Sequence, residues 1–271
     1  MAAMTSLTSS FIKEHALIDD PHLAAALTQA AGGLALRMRD EGLQTAQKTS
    51  VSDVVTQADM AAEEFVAEVL AALRPDDGIL GEEGAAKKSA SGRTWVIDPV
   101  DGTYNFSCGS DYFCSAVALV EGSPAAPERI LTSAVTRPAL GNTWVAGETA
   151  TLNGTALAPL VDGPLSSLAL ASYLHPRDMD KPAIRDTWLR AVSPAATVRM
   201  FGAGSIDLAT VASGGIGGWL QHSVADWDWL PGKALVEAAG GRAVKVDAGG
   251  VTWCVAGNKQ LVADVVARLE G

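Results

Sequence analysis

The segment Asp98-Pro99-Val100-Asp101-Gly102-Thr103 has the residue types and spacing of a combined metal and phosphate site. The preceding apolar run, Trp95 to Ile97, predicts a buried strand that ends in two acids three residues apart. Carboxylate and carbonyl oxygens are hard ligands that suit Mg²⁺. Gly102 precedes a turn that opens onto a helix, where free backbone N–H groups can hold a phosphate. The segment therefore predicts metal-assisted attack on a phosphate ester.

Three further acids could join this pair, although each has a simpler local interpretation. Glu82 lies in Gly81-Glu82-Glu83-Gly84, where exposed glutamates are usually only solvated. Asp228 stands at a predicted helix start, and an aspartate caps a helix well. Asp59 follows Thr56 by three residues, which is the spacing of a capping box and favours capping on local grounds. Taken together, these carboxylates predict a pocket in which bound cations must neutralise several neighbouring negative charges.

In their order along the chain, these motifs resemble those of the inositol monophosphatase family, which are Mg²⁺-dependent, lithium-sensitive phosphatases. The central motif D-P-x-D-G-T-x-N-F occupies residues 98–106, G-E-E occupies 81–83, and W-D occupies 227–228 with Gly232 downstream. A K-x₁₀-D element runs from Lys48 to Asp59 and includes Asp53. The resemblance covers roughly residues 19–270 and implies a layered α/β/α/β/α sandwich.

The resemblance implies that the acids hold two or three Mg²⁺ ions. The first ion would bind Glu82, Asp98 and the backbone carbonyl of Val100. The second ion would bind Asp98, Asp101 and Asp228. A third ion, weaker and more hydrated, would lie near Glu82.

The resemblance also assigns the groups that would act on water and phosphate. Asp59 would lie near the third ion and accept a hydrogen bond from Thr103. Thr103 would orient and deprotonate the attacking water. The backbone N–H groups of Gly102 and Thr103 would bind the phosphate oxygens, so no Ser, Cys or His nucleophile is needed.

The alcohol that leaves the phosphate is expected to contact the turn at Ala203 and Gly204 and the side chain of Gln221. Inositol-specific members of the family have a glutamate seven residues before the last metal aspartate, where this chain has Gln221. An amide can bond a polyol but offers no carboxylate to an amine. Inositol 1-phosphate or a related sugar or polyol phosphate is the expected substrate. Histidinol phosphate, 3′-phosphoadenosine 5′-phosphate and fructose 1,6-bisphosphate are the alternatives.

A regulatory binding protein on the same fold is the non-enzymatic alternative, because fold does not fix function. The complete set of acids, together with Thr103, favours catalysis. The net charge of −11 makes nucleic acid and anionic membranes unfavourable partners. The odd count of three cysteines without metal-type spacing predicts reduced thiols in a cytoplasm. The expected partners are a small phosphorylated metabolite and a second copy of the chain, since the family commonly forms homodimers.

Apolar patterning predicts an α+β fold with two lobes in one compact catalytic unit. Residues 1–18 are expected to be a flexible tail without the pattern of a secretory signal. Residues 19–155 would form an α+β lobe with most of the metal ligands, in which two helices precede mostly antiparallel strands. Residues 156–271 would form an α/β lobe with Asp228, because helices and strands alternate there.

Overall fold

A computed structural model of the protein describes residues 2–42, 45–47 and 54–271. Lys48 and Asp53 of the predicted K-x₁₀-D element lie outside the described residues. The helices are α1 (Ala2–Glu14), α2 (Asp20–Glu41), α3 (Gln57–Leu73), α4 (Thr103–Ser107), α5 (Pro176–Met179), α6 (Pro182–Val192), α7 (Gly204–Ala212), α8 (Asp226–Ala238) and α9 (Lys259–Glu270). Within the described ranges, no helix combines the length and the hydropathy needed to cross a membrane.

The strands form one large sheet, one smaller sheet and a short hairpin. Their bounds are β1 (Thr45–Gln47), β2 (Val54–Thr56), β3 (Gly78–Gly81), β4 (Ala86–Lys87), β5 (Arg93–Asp101), β6 (Cys114–Ser123), β7 (Ala126–Arg137), β8 (Asn142–Ala146), β9 (Ala150–Leu152), β10 (Thr155–Ala156), β11 (Ala169–Tyr173), β12 (Thr197–Arg199), β13 (Gly218–His222), β14 (Arg242–Ala248) and β15 (Val251–Gly257). The large sheet has the order β10-β9-β8-β7-β6-β5-β3-β4 and the smaller one β12-β11-β13-β15-β14.

The elements stack in five layers. Helices α1, α2 and α3 cover one face of the large sheet, and α7 and α8 lie between the two sheets. Helices α6 and α9 cover the outer face of the smaller sheet. Each sheet is thereby buried by helices whose apolar faces need a partner. The expected α+β sandwich, layered α/β/α/β/α, is confirmed.

The first residues of the described chain are helical, so the expectation of a flexible tail is wrong for α1. Phe11 is 7% exposed and packs edge-on against Phe65 of α3, with ring centroids 5.3 Å apart. Thr8 donates a hydrogen bond to Glu68 at 3.1 Å. The serine and threonine content of this segment suggested a tail, but the aromatic side chain buried against α3 anchors it as a helix.

The central strand β5 positions the acidic motif. It pairs in parallel with β3, with Gly81 opposite Ile97. Glu82 directly follows β3 and therefore lies near the point at which the regular pairing of β5 ends, at Asp98. On its other side β5 pairs with β6, and the register shifts between Asp98 and Asp101. A bulge of this kind re-aims side chains at the end of a strand. The two acids of the central motif therefore flank the irregularity at the end of β5.

Candidate active site

Three aspartates from distant parts of the chain meet at this edge. Asp98, Asp101 and Asp228 each place one carboxylate oxygen within 4.8 Å of the others. Asp228 comes from the first turn of α8, after the chain has crossed between the sheets. Glu82 lines the same cavity as Asp101 and Asp228 but is outside this tight group.

Asp98 is the most constrained of these acids. It is fully buried, and no group among the described residues donates a hydrogen bond to either carboxylate oxygen. Burial, together with the charges of Glu82, Asp101 and Asp228, raises the pKa of Asp98 well above its ordinary value. Burial and the neighbouring charges of Asp101 and Glu82 likewise raise the pKa of Asp228 to about 8. Closely spaced carboxylate oxygens, two of them without a hydrogen-bond donor, suit a divalent cation such as Mg²⁺.

Asp101 is oriented by a turn of the second half of the chain. The backbone N–H of Gly204 donates to one oxygen at 3.2 Å, and the N–H of Ser205 donates to the other. Burial raises the pKa of Asp101, whereas these hydrogen bonds oppose that rise. The start of α7 therefore fixes the direction in which this carboxylate points.

Asp59 is bonded to Thr103 and also closes a capping box. Its Oδ2 accepts from the backbone N–H of Thr56 at 3.0 Å and from the Thr56 hydroxyl. Its Oδ1 accepts from the Thr103 hydroxyl at 3.0 Å, and that hydroxyl also lies 2.9 Å from the carbonyl of Val100. Burial raises the pKa of Asp59, while the hydrogen bonds from Thr56 and Thr103 lower it. The capping box is therefore present, and the same side chain also makes the contact with Thr103 that the resemblance implies.

Gly102 forms a tight junction between the two halves of the chain. Its φ is +87°, a left-handed conformation, and a Cβ there would lie 3.0 Å from the Cβ of Ala203 and 3.1 Å from the carbonyl of Tyr112. The side-chain amide of Asn105 donates to Tyr112 O at 3.0 Å and to Phe201 O at 2.7 Å. Only glycine suits this crowded left-handed position.

A cavity of about 550 Å³ opens from the acids. Ala203, Gly204 and Gln221 all line it, together with Thr103. Ala203 is buried against Gly102, and the N–H of Gly204 is already bonded to Asp101.

Known proteins share these features over most of the chain. A family model described as the inositol monophosphatase family matches residues 20–268. The chain belongs to the inositol monophosphatase family. This phosphatase is 34% identical to an inositol-1-monophosphatase of Rhizobium meliloti over 73% of its own chain and 74% of that protein. It is 31% identical to a histidinol-phosphatase of Mycobacterium tuberculosis, over 84% and 88% of the two chains.

A solved structure agrees with the fold of this inositol monophosphatase family member. The extragenic suppressor protein suhB of Bartonella henselae superposes with a TM-score of 0.81 at 25% identity, covering 92% of this chain and 97% of that one. The protein is a phosphoric monoester hydrolase of a Mg²⁺-dependent family. The acidic cluster is the part of the structure that suits this dependence.

Two buried acids next to the candidate site of the phosphatase were missed by the sequence analysis. Glu63 of α3 accepts from the backbone N–H groups of Glu83 at 2.8 Å and Ala85 at 2.7 Å, so it holds the loop that presents Glu82. Asp207 of α7 lines the cavity and accepts from the Tyr112 hydroxyl at 2.7 Å. A charged residue among the apolar positions of a helix was the available signal for both.

Proposed function

We propose that this protein hydrolyses a small phosphate monoester through a water activated by Mg²⁺. One observation supports this above all: the buried oxygens of Asp98 are without a donor among the described residues, within 4.8 Å of Asp101 and Asp228. Such a group is costly unless a cation binds it. A structural role alone gives no reason to keep a carboxyl group buried there.

The ligand sets follow the resemblance. Glu82, Asp98 and the Val100 carbonyl would hold one Mg²⁺, and Asp98, Asp101 and Asp228 a second. When bound, Mg²⁺ lowers the pKa of a coordinated water and offsets the negative charge of the phosphate. A third, more hydrated ion would lie beside Glu82.

Residues of the chain itself would position the attacking water, accept its proton and orient the phosphate. Thr103 would accept a hydrogen bond from the attacking water while its own hydroxyl proton remains directed at Asp59. The proton released by the water would thus pass toward the buried Asp59 carboxylate. The N–H groups of Gly102 and Thr103 would orient the phosphate, and the left-handed backbone at Gly102 supports their common direction.

A polyol monophosphate, with inositol 1-phosphate first, is the proposed substrate. The relative from Rhizobium meliloti has this activity in its name, and the amide of Gln221 in the cavity wall can bond hydroxyl groups. None of the described residues that line the cavity is a lysine or an arginine. Apart from His175, a second phosphate would find no basic side chain among them, which disfavours fructose 1,6-bisphosphate and 3′-phosphoadenosine 5′-phosphate.

Histidinol phosphate is the second candidate, because the structure adds a carboxylate that the sequence analysis did not place. Asp207 lines the cavity, and burial raises its pKa to about 7, against the hydrogen bond from Tyr112. An ammonium group nearby would favour the ionised form of this carboxylate. The Mycobacterium tuberculosis relative, which aligns over a longer part of the chain, is named for this activity.

A phosphate-release panel tests the proposal. Purified protein is assayed with inositol 1-phosphate, histidinol phosphate, fructose 1,6-bisphosphate and 3′-phosphoadenosine 5′-phosphate, in Mg²⁺ and in EDTA. We expect Mg²⁺-dependent kcat/KM values that are highest for one of the two monophosphates. Absence of phosphate release across the panel in Mg²⁺ would favour the regulatory binding protein instead.

The cellular location, the oligomeric state and the response to lithium are further expectations for this enzyme. We expect a cytoplasmic enzyme, since Cys108, Cys114 and Cys254 are all unpaired among the described residues. A homodimer and inhibition by lithium are expected from the family, and light scattering and a lithium titration of the activity measure them.

A further inference from the structure

The loop that follows β3 presents Glu82 to the active-site cavity, and one buried side chain holds the backbone of this loop. Glu63 of α3 is 3% exposed, and its two carboxylate oxygens accept hydrogen bonds from the backbone N–H groups of Glu83 and Ala85. These two residues lie on either side of Gly84, whose φ is +111°. Both oxygens of Glu63 are therefore bonded to the turn that comes directly after Glu82.

Backbone carbonyl groups accept two further hydrogen bonds of this loop. The N–H of Gly81 donates to the carbonyl of Ala85 at 2.7 Å, and the N–H of Glu82 donates to the carbonyl of Ile97 in β5 at 3.2 Å. Glu63 supplies acceptors for the N–H groups that the strand pairing does not reach. An N–H group that loses its acceptor in a partly buried place favours a rearrangement of the loop. The direction of the Glu82 side chain therefore depends on the carboxylate of Glu63.

Gly81, the last residue of β3, packs directly against the same carboxylate. A Cβ added at Gly81 would lie 2.4 Å from Cδ of Glu63, which is closer than two carbon atoms can approach. The φ of Gly81 is outside the left-handed region, so glycine is needed here for space alone. The carboxylate of Glu63 is thereby fixed by packing against the end of β3 as well as by its hydrogen bonds to the loop.

Helix α3 bears a second buried carboxylate one turn earlier. Asp59 precedes Glu63 by four residues, so both side chains project from the same face of the helix. Asp59 accepts a hydrogen bond from Thr103, which follows β5, whereas Glu63 accepts hydrogen bonds from the loop that follows β3. The first two turns of α3 therefore hold the segments at the ends of both of these paired strands.

We infer that Glu63 is a positioning residue that acts through Glu82 and sets the affinity for the Mg²⁺ ion that Glu82 would hold. This inference rests on the proposed function, because it takes Glu82 as a metal ligand. Groups that orient a ligand contribute to metal affinity although they do not touch the metal. Asp101 is oriented by the start of α7, and Asp228 belongs to α8, so the ion among the three clustered aspartates should not depend on Glu63.

Titration calorimetry of Mg²⁺ into a set of variants tests this role. Glu63→Gln keeps the size of the side chain but replaces one acceptor oxygen with an amide group that donates. We expect one class of bound Mg²⁺ to weaken about tenfold or more in Glu63→Gln, while the other class is unchanged. Glu82→Gln removes the ligand itself, so the double variant Glu63→Gln/Glu82→Gln should bind Mg²⁺ no more weakly than Glu82→Gln alone. Additive losses in the double variant, or an unchanged affinity in Glu63→Gln, would overturn the inference.

Asp77→Asn is the matched control, because Asp77 is a buried acid at the opposite end of β3. It is 5% exposed and accepts hydrogen bonds from Arg93 at 2.7 Å and from Trp95 at 3.0 Å. Asp77→Asn should lower the melting temperature but leave Mg²⁺ affinity unchanged. An equal loss of Mg²⁺ affinity in Asp77→Asn and Glu63→Gln would show a general loss of stability and would overturn the inference.

Gly81→Ala disturbs the same contact without a change of charge, and it serves as the test if Glu63→Gln does not fold. The added methyl group should displace the Glu63 carboxylate and weaken the same class of Mg²⁺ about tenfold or more. An unchanged Mg²⁺ affinity in Gly81→Ala would overturn the inference.

Hydrogen exchange in EDTA measures the loop without metal or substrate. The amides of Glu83 and Ala85 should exchange about tenfold or more faster in Glu63→Gln than in the unmodified protein, and at the same rate in Asp77→Asn. Weakened Mg²⁺ binding in Glu63→Gln, with no phosphate release from any ester by the unmodified protein, would contradict the proposed function alone. Phosphate release with the same Mg²⁺ dependence in both proteins would contradict this inference alone.

Discussion

One carboxylate oxygen of Asp59 accepts a hydrogen bond from the Thr103 hydroxyl at 3.0 Å, and the other oxygen closes the capping box at the start of α3. The helix start and the turn after β5 are thereby joined by a single buried carboxylate. The cap prevents Asp59 from rotating away from Thr103, because both oxygens have fixed donors. The sequence analysis treated capping and catalysis as competing roles, whereas in the structure the capping bonds hold the same carboxylate that Thr103 contacts.

Removal of the Thr103 hydroxyl should slow turnover without loss of metal. Thr103→Ala is expected to lower kcat by about a hundredfold or more, as for loss of a group that takes part in proton transfer. Mg²⁺ affinity, measured by calorimetry, should change little because the three clustered aspartates remain. Thr103→Ser keeps the hydroxyl and is expected to retain most of the activity. An unchanged kcat in Thr103→Ala would exclude a role for this hydroxyl in positioning the water.

An alanine substitution at Gly109 is a matched control that separates the effect of crowding at Gly102 from the strain of its left-handed backbone. Gly109 has a similar φ of +82° but nothing within 4 Å of an added Cβ, whereas a Cβ at Gly102 would contact Ala203 and Tyr112. Gly109→Ala should cost about 1–2 kcal/mol of the free energy of unfolding. Gly102→Ala should cost about 1–3 kcal/mol more and reduce kcat, since overpacking displaces the phosphate-binding turn.

Urea unfolding with phosphate-release assays measures both effects in the two variants. Equal losses of stability, with kcat intact in Gly102→Ala, would show that the turn adapts and does not set the active-site geometry.

The metal-free protein should lose stability as the pH rises above 7. Burial raises the pKa of Asp228 to about 8 and that of Asp207 to about 7, both above the unfolded value of 3.8. The folded protein therefore binds more protons than the unfolded one, and this stabilisation is lost as pH rises through those pKa values. His222, whose pKa is lowered from 6.5 by burial, is neutral in both states in this window.

Urea denaturation in EDTA between pH 7 and pH 8.5 measures this loss. We expect a slope of up to about 1.4 kcal/mol per pH unit for each proton released. Saturating Mg²⁺ should remove the Asp228 contribution to the slope, because Asp228 is then held as a ligand, so that the gain from Mg²⁺ is larger at pH 8.5 than at pH 7. A stability in EDTA that is flat or rises over this interval would contradict the raised carboxylate pKa values.

Much of the fold and of the acidic site could be predicted because local patterns determine them. The helix over Gln57–Leu73 begins where the capping-box spacing of Thr56 and Asp59 indicates. The buried strand could be placed from the apolar run Trp95 to Ile97, although β5 continues to Asp101. The four motifs have fixed spacing, so the residues of the acidic site could be named from the sequence. The distances between these residues in space depend on how all five layers pack together.

The remaining features depend on contacts between distant segments, which no local pattern contains. Glu63 and Asp207 look like ordinary helix positions in the sequence, and only packing shows that they are buried. The exposed face of Phe201 results from a turn held by Asn105, 96 residues away. No local pattern marks His222 as buried, but its side chain is 10% exposed and packs on Trp253.

The central claim is that Asp98 is kept in a buried, repulsive position in order to bind a divalent cation. Titration calorimetry of Mg²⁺ into the protein and into Asp98→Asn, with melting temperatures in EDTA, tests this most directly. We predict saturable Mg²⁺ binding by the unmodified protein and strongly weakened binding by Asp98→Asn. In EDTA this variant should melt higher than the unmodified protein, because it removes the cost of burying a carboxyl group that is ionised in the unfolded chain. Equal Mg²⁺ affinity in the two proteins, or no Mg²⁺ binding by either, would contradict the account.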